Sequence, residues 1–158
     1  MNVKSIFEDG DKILNLRGIF QQIHERRQNR RIMECDESLS ERLLDYLDSC
    51  LNRFVLKERL FLRPDMSLSF LADKLHTNRT YVSLAVHNLY GVRFREFINV
   101  LRVEYSKNLL KTIRLDLGHV ATACGFIYAS QFTKTFTEVE GVNPSQWRHM
   151  FFHLNGEY

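Results

Sequence analysis

The chain has 158 residues, 44% of them hydrophobic and 26% charged, with a net charge of +3 at pH 7, a size that suits one domain or two very small ones sharing a core. It has no run of about 18 apolar residues, which excludes a membrane-spanning helix, and no glycine-rich phosphate loop, zinc-ligand spacing or Ser/His/Asp constellation, which leaves catalysis, a cofactor and a resident metal without a motif. Cys35, Cys50 and Cys124 form no Cys-x-x-Cys pair and predict free thiols in a reducing compartment. The start, Met1-Asn2-Val3-Lys4, runs into charge and not into a secretory leader, so a cytoplasmic location is expected.

Two prolines and seven glycines predict an all-α chain. From Asp11 to about Arg31, Ile13, Leu16, Phe20 and Ile23 recur at helical spacing. This N-terminal segment, residues 1–37, is expected to pair two chains into a homodimer or to fold back on its own domain. Its basic end, Arg26-Arg27-Gln28-Asn29-Arg30-Arg31, suits a helix C-terminus. Cys35 to Ser38 reads as a linker, with Ser38 or Ser40 as the cap of a helix over 39–57. Leu43, Leu47, Leu51 and Phe54 form one face of that helix. Arg63-Pro64-Asp65 breaks the pattern, because proline lacks an amide proton and restricts its predecessor.

A repeat follows. Ser67-Leu68-x-x-Leu71-Ala72-x-x-Leu75-His76 returns as Asp116-Leu117-x-x-Val120-Ala121-x-x-Cys124-Gly125. Each copy continues with matching spacing, Val82-x3-Val86-x4-Gly91-Val92-x4-Phe97 and Phe132-x3-Phe136-x4-Gly141-Val142-x4-Trp147. Two helix-turn-helix units are predicted, about 67–90 and 116–140, joined by a long helix over 94–112. Ser67, Asn78 and Asp116 are expected to cap helices through side-chain oxygens. Gly91 is expected to end its helix in the left-handed region, Gly141 to stop the second recognition helix, and Pro144 to open a final helix. The tail, 153–158, is expected to fray. The joining helix should bury Phe94, Phe97, Ile98, Leu101, Tyr105 and Leu109.

In a helix-turn-helix the first helix braces the second, which offers its outer face to the major groove. The bracing positions are Leu71, Leu75, Val82 and Val86, then Val120, Cys124, Phe132 and Phe136. The face left over is Arg79, Thr80, Ser83, Leu84 and His87 on the first recognition helix, and Ala129, Ser130, Thr133 and Lys134 on the second. Arg79, Lys134 and His87 can reach phosphate or guanine, the hydroxyls can reach phosphates or bases, and Leu84 and Ala129 offer only apolar contact. Ser67, Asn78, Arg93, Arg95 and Gln131 are candidate phosphate contacts. Between Arg79 and Lys134 eight Lys/Arg face three Asp/Glu, a local excess that favours a polyanionic partner. Arg102 is expected to form a structural ion pair with Glu96 or Asp116. His149 and His153 have metal-ligand spacing, but without a third ligand they read as an exposed helix end. Phe151-Phe152 reads as a packing anchor.

Residues from about 60 to 150 resemble the two-motif DNA-binding domain of the AraC/XylS family of bacterial transcription regulators. The carrying residues are Leu71-Ala72, Asn78-Arg79-Thr80-Tyr81-Val82-Ser83, Gly91, Phe94, Phe97-Ile98-Asn99 and Arg102, then Val120-Ala121, Gly125-Phe126, Phe132, Phe136, Gly141 and Pro144-Ser145-Gln146-Trp147-Arg148. The resemblance implies a DNA-binding domain over 38–152, two recognition helices in successive major grooves of double-stranded DNA, and base-facing roles for Thr80, Ser83, Leu84, His87, Ala129, Ser130, Thr133 and Lys134. His76 stands where the family has a turn glycine, which predicts a less tight first turn. Leu84 replaces a common basic residue, and Tyr128 replaces the usual serine cap. The 37 residues before Ser38 are too few for the family's β-barrel sensor, so a stand-alone member or a C-terminal fragment is expected. A protein-interaction module that docks RNA polymerase or another regulator is the alternative, favoured by Leu84, Tyr128 and Ala129.

Overall fold

The computed structural model describes residues 18, 20–22, 39–111 and 115–155. Among these, every regular element is helical: α1 Glu41–Cys50, a π-helical stretch Leu51–Lys57, a 3-10 turn Leu60–Leu62, α2 Leu68–Lys74, α3 Arg79–Tyr90, α4 Phe94–Leu110, α5 Leu117–Ala123, α6 Ala129–Glu140 and α7 Pro144–Asn155. The first motif is α2–α3, the second is α5–α6, and α4 joins them. The final helix runs past Phe152 to Asn155, so residues 153–155 of the expected tail are helical.

The helix ends follow the chemistry of their capping residues. Ser67 Oγ accepts from the Phe70 amide at 3.1 Å, and Asn78 Oδ1 from the Tyr81 amide at 2.8 Å. Asp116 Oδ1 accepts from the amides of Gly118 and His119 at 2.7 and 3.0 Å. A hydrogen bond from the His119 side chain, first among several, holds the Asp116 carboxyl below its ordinary pKa. Ser40 takes the N-cap position of α1 without a side-chain cap. α7 opens on a reciprocal capping box. Asn143 Oδ1 accepts from the Gln146 amide at 2.8 Å, and Gln146 Oε1 accepts from the Asn143 amide at 3.2 Å.

One long helix over 39–57 is not what forms. The α-helix gives way at Leu51 to π-helical winding, which inserts extra backbone per turn and rotates everything downstream. Leu47, Leu51 and Val55 are the most deeply buried residues of this segment, each 1% exposed or less, and Leu43 and Phe54 pack against the core partly buried. Phe54, expected on that face, is half-buried, with the Arg53 guanidinium 5.2 Å and the Lys74 ammonium 5.6 Å from its ring centre.

The core runs through both motifs and α4 without a break. All eight bracing residues are at most 3% exposed, and Ala72 and Ala121 are buried beside them. α4 buries its predicted stripe and also Val100, Arg102, Val103, Ser106 and Leu110. A single-faced surface helix would show half of that; α4 is covered on several sides because both motifs pack on it. Its 17 residues span about 25 Å at 1.5 Å per residue.

Phe20 is 2% exposed and joins an aromatic cluster inside the first motif. Its ring lies 5.3 Å from Tyr90 of α3 and 5.5 Å from Phe97 of α4, and these two stack on each other at 4.8 Å. This part of the N-terminal segment folds back on its own domain. Ile13, Leu16, Ile23, Cys35 and the basic tract lie outside the described residues.

The two turns close alike. Leu75 donates to the Leu71 carbonyl at 2.9 Å, His76 to Asp73 at 3.1 Å and Thr77 to Ala72 at 3.0 Å. In the second motif Cys124 donates to Val120, Gly125 to Thr122 and Phe126 to Ala121, each at 3.0 Å. The first turn is therefore as tight as the second, contrary to the expectation from His76. Its backbone meets the demand by placing His76 at φ 51°, the counterpart of Gly125 at φ 82°. A side chain in that region costs about 1–2 kcal/mol, partly offset because glycine makes the unfolded chain freer. His76→Gly is thus expected to raise the denaturant midpoint, by up to about 1 kcal/mol of stability. A lower midpoint would mean that the exposed imidazole stabilises the turn by a contact of its own.

Candidate DNA interface

The bracing positions are consumed by the core, so the outward face of each second helix is set by subtraction. On α3, Arg79 and Thr80 are exposed and Ser83, Leu84 and His87 are half-buried. On α6, Ala129, Ser130 and Lys134 are exposed and Thr133 is half-buried. Each set lies along one side of its helix, and the two helices belong to one continuous core. The first face is the less open of the two, since Ser83, Leu84 and His87 are all half-buried and on α6 only Thr133 is.

The face of α6 lines a shallow concavity formed by Ser130, Thr133, Lys134, Thr137 and Glu138. Thr133 is not free to donate, since its hydroxyl already donates to the Ala129 carbonyl at 3.0 Å. Thr137 does the same to the Thr133 carbonyl at 2.8 Å. Among the described residues Ser130 and Lys134 have no such internal partner.

The candidate phosphate contacts divide by availability. The Ser67 hydroxyl oxygen and the Asn78 carbonyl oxygen are used as caps, although Asn78 keeps its amide NH2 as a donor. Arg93 sits at the N-cap of α4, and Arg95 projects from its first turn, both exposed. Gln131 is exposed on α6. Tyr128, the N-cap residue of α6, makes no side-chain cap. With Ile127 it forms an exposed apolar pair, each 67% exposed, directly before the helix. Tyr81, 41% exposed on α3, was not legible as a surface residue from the pattern of apolar spacings.

The residues singled out as structural behave so, with one correction. Arg102 is buried, but its partners are not carboxylates. Its Nε donates to the Phe61 carbonyl and its NH2 to the Arg63 carbonyl, each at 2.7 Å, and the guanidinium lies 5.3 Å from the Phe126 ring centre. Glu96, six residues earlier, stands roughly 120° round the helix, and Asp116 is committed to capping α5. Burial lowers the Arg102 pKa and opposes the effect of nearby Cys124, which raises it. Burial likewise pushes the Cys124 thiol up to about 12, which fits a core residue and not a reactive one. Arg148 does comparable work in the second half, donating to the carbonyls of Leu110 and Leu115 at 3.1 and 2.7 Å. Lys107 links α4 to the end of α6 through Glu104 at 2.6 Å and Glu140 at 3.2 Å.

Phe152 is buried, and Phe151 stacks on Trp147 with ring centres 5.7 Å apart, so this pair is a packing anchor. The His149 and His153 Nε2 atoms are 2.9 Å apart on the exposed side of α7. The described residues contain no group of three or more His, Cys, Asp or Glu able to hold a metal ion. They also contain no helix long and apolar enough to cross a membrane.

Two helix-turn-helix units on one joining helix, each with an outer face that the core does not use, define an all-α nucleic-acid-binding class of domain. A family model described as a helix-turn-helix domain matches residues 71–150, just over half of the chain. The chain belongs to the AraC/XylS family, through its DNA-binding domain, a family of transcription regulators and not of enzymes. It is 24% identical over 103 residues to the HTH-type transcriptional activator RhaR of Escherichia coli K12, an alignment that covers 65% of this chain and 36% of that protein. The chain thus spans about a third of the length of the curated relatives it matches. The C-terminal domain of the two-component response regulator yesN from Fusobacterium nucleatum is similar in structure, with a TM-score of 0.58 and 25% identity, covering 66% of this chain and 98% of that one. The DNA-binding domain of AdpA, solved in complex with a target DNA, shares the fold with a TM-score of 0.62 and 19% identity, covering 71% and 97%.

Proposed function

We propose that the chain binds duplex DNA sequence-specifically and regulates transcription in the bacterial cytoplasm, with α3 and α6 entering successive major grooves. The observation that carries this reading is the duplicated turn, whose hydrogen bonds agree to within 0.1 Å in the two motifs. The same bracing geometry is therefore imposed on both second helices, and each keeps an outer face that the core does not use. Arg79, Thr80, Ser83, Leu84 and His87 form the first reading face, and Ala129, Ser130, Thr133 and Lys134 the second. Arg93, Arg95, Asn78 and Gln131 grip the backbone at the edges, with Ser67 contributing through its helix end.

Selection of bound sites from a random duplex library, at physiological salt and with competitor DNA, tests this. Two-groove reading requires a bipartite motif with halves about ten base pairs apart. One enriched half reduces the other motif to a backbone grip. No enrichment moves the weight to a protein-docking role toward RNA polymerase or another regulator, which the exposed Ile127–Tyr128 pair favours.

Replacing Thr133 and Lys134 together by alanine is expected to weaken specific binding by about tenfold or more, at about 1–3 kcal/mol for a lost base contact, and nonspecific binding by less. Equal losses on selected and random duplexes would show phosphate contacts only. Homodimer formation through the N-terminal segment is tested by sedimentation of a chain lacking residues 1–37. A fall from two chains per particle to one supports pairing, and an unchanged number of chains per particle excludes it. In either case the truncated chain should be less stable, because Tyr90 and Phe97 lose their cover by Phe20.

A further inference from the structure

We infer that α6 reads thymine methyl groups with a methyl stripe of its own, and that Thr137 belongs to the reading face. The inference rests on the DNA-binding reading above and names what the second motif recognises. Ala129, Thr133 and Thr137 follow one another at four-residue spacing, so they form one line along the helix that drifts by about 40° per step. All three lie on the outward side, Ala129 and Thr137 exposed and Thr133 half-buried.

A hydroxyl has a single proton to give. Thr133 gives its proton to the Ala129 carbonyl at 3.0 Å, and Thr137 gives its proton to the Thr133 carbonyl at 2.8 Å. Tetrahedral geometry at Cβ holds each γ-methyl away from the carbonyl that the hydroxyl engages. Neither hydroxyl then has a proton left for a groove, and the apolar groups this line carries are three methyls. Phosphate oxygens and the N7 and O6 atoms of guanine need donors, which this line lacks. Thymine alone carries a methyl on the major-groove edge, and it suits a carbon surface. The concavity along the line is walled by Ser130, Thr133, Lys134, Thr137 and Glu138. Ser130 and Lys134 supply donors beside the stripe.

The test uses the full chain and the site it selects. Each thymine of the half-site bound by α6 is replaced in turn by deoxyuridine, which removes the methyl and nothing else, and affinity is read by fluorescence anisotropy. A loss of about threefold to fivefold is expected at one or more positions, the size of one buried methyl. Thr133→Val and Thr137→Val keep the methyl and discard the hydroxyl, so the thymine-over-uracil ratio should persist. Thr133→Ser and Thr137→Ser keep the hydroxyl and discard the methyl, so the ratio should fall toward one. Indifference to uracil throughout the half-site overturns the inference while leaving DNA reading intact. So does a valine variant that loses the ratio as serine does. Failure to select any site overturns both, and is told apart by the absence of any sequence preference to begin with.

Discussion

Gly125→Val is expected to destabilise the domain by about 3–5 kcal/mol and to lower its melting temperature by roughly 10–20 °C. Two independent costs add. The backbone at Gly125 has φ +82°, where any Cβ is strained by about 1–2 kcal/mol. A Cβ there would also stand 2.5 Å from the Leu62 carbonyl oxygen, 2.8 Å from its carbon and 3.3 Å from Arg102 Nε. The obstacle is backbone, so no side-chain rotation relieves it. Leu62 lies in the 3-10 turn before the first motif, which means that the turn of the second motif rests directly on the approach to the first. Gly141 provides the control. Its φ of +80° is nearly the same, and a Cβ there meets nothing within 4 Å. Gly141→Val should therefore show the strain alone, about 1–2 kcal/mol. Thermal melts of the two variants read the difference. Equal losses would mean that the contact with Leu62 relaxes freely and does not hold the motifs together.

That contact marks where the sequence stops being sufficient. Bracing residues were legible because burial on a helix has a period, and Leu71, Val82, Val120 and Phe132 keep it. Caps were legible at Ser67, Asn78 and Asp116 because short polar side chains at helix starts have few other uses. The Asn143/Gln146 capping box carries the same kind of signal. The winding after Leu51 was not legible because apolar spacing assumes 3.6 residues per turn, and it puts Val55 in the core beside the partly buried Phe54. The reading faces were legible only as what the core leaves over. Whether Thr133 and Thr137 point a donor or a methyl outward depends on a rotamer, and no spacing encodes a rotamer. The tightness of the first turn was misjudged because a preference for glycine is energetic, and one histidine at φ 51° is a cost that the rest of the motif absorbs.

Arg102 shows the same boundary in its sharpest form, and its replacement by methionine carries the second large expected effect. A buried arginine calls for an acid when only side chains are visible in a sequence. The acceptors here are main-chain carbonyls of Phe61 and Arg63, which every residue has and no letter announces. Hydrogen bonds to a charged group contribute about 1.5–3 kcal/mol each, and the Phe126 face adds to them. Methionine fills much of the space and donates nothing. The Arg63 carbonyl would keep the Met66 amide at 3.2 Å, whereas the Phe61 carbonyl would lose the Arg102 donor at 2.7 Å. Arg102→Met is therefore expected to cost about 3 kcal/mol or more. Arg102→Lys should recover only part of this, because one ammonium cannot reproduce a two-pronged planar donor. Denaturant unfolding of the three proteins measures it. The order native, lysine, methionine in midpoint supports the carbonyl clamp. Lysine equal to native would show that charge alone matters, and methionine equal to native would show that the buried cation is no more stabilising than the apolar chain that replaces it. The clamp has a consequence for DNA reading too. Arg102 sits on the joining helix, grips the segment before the first motif and lies over a ring of the second, so it bears on both motifs at once. If it sets their relative placement, Arg102→Lys should weaken binding to the full bipartite site more than binding to either half alone.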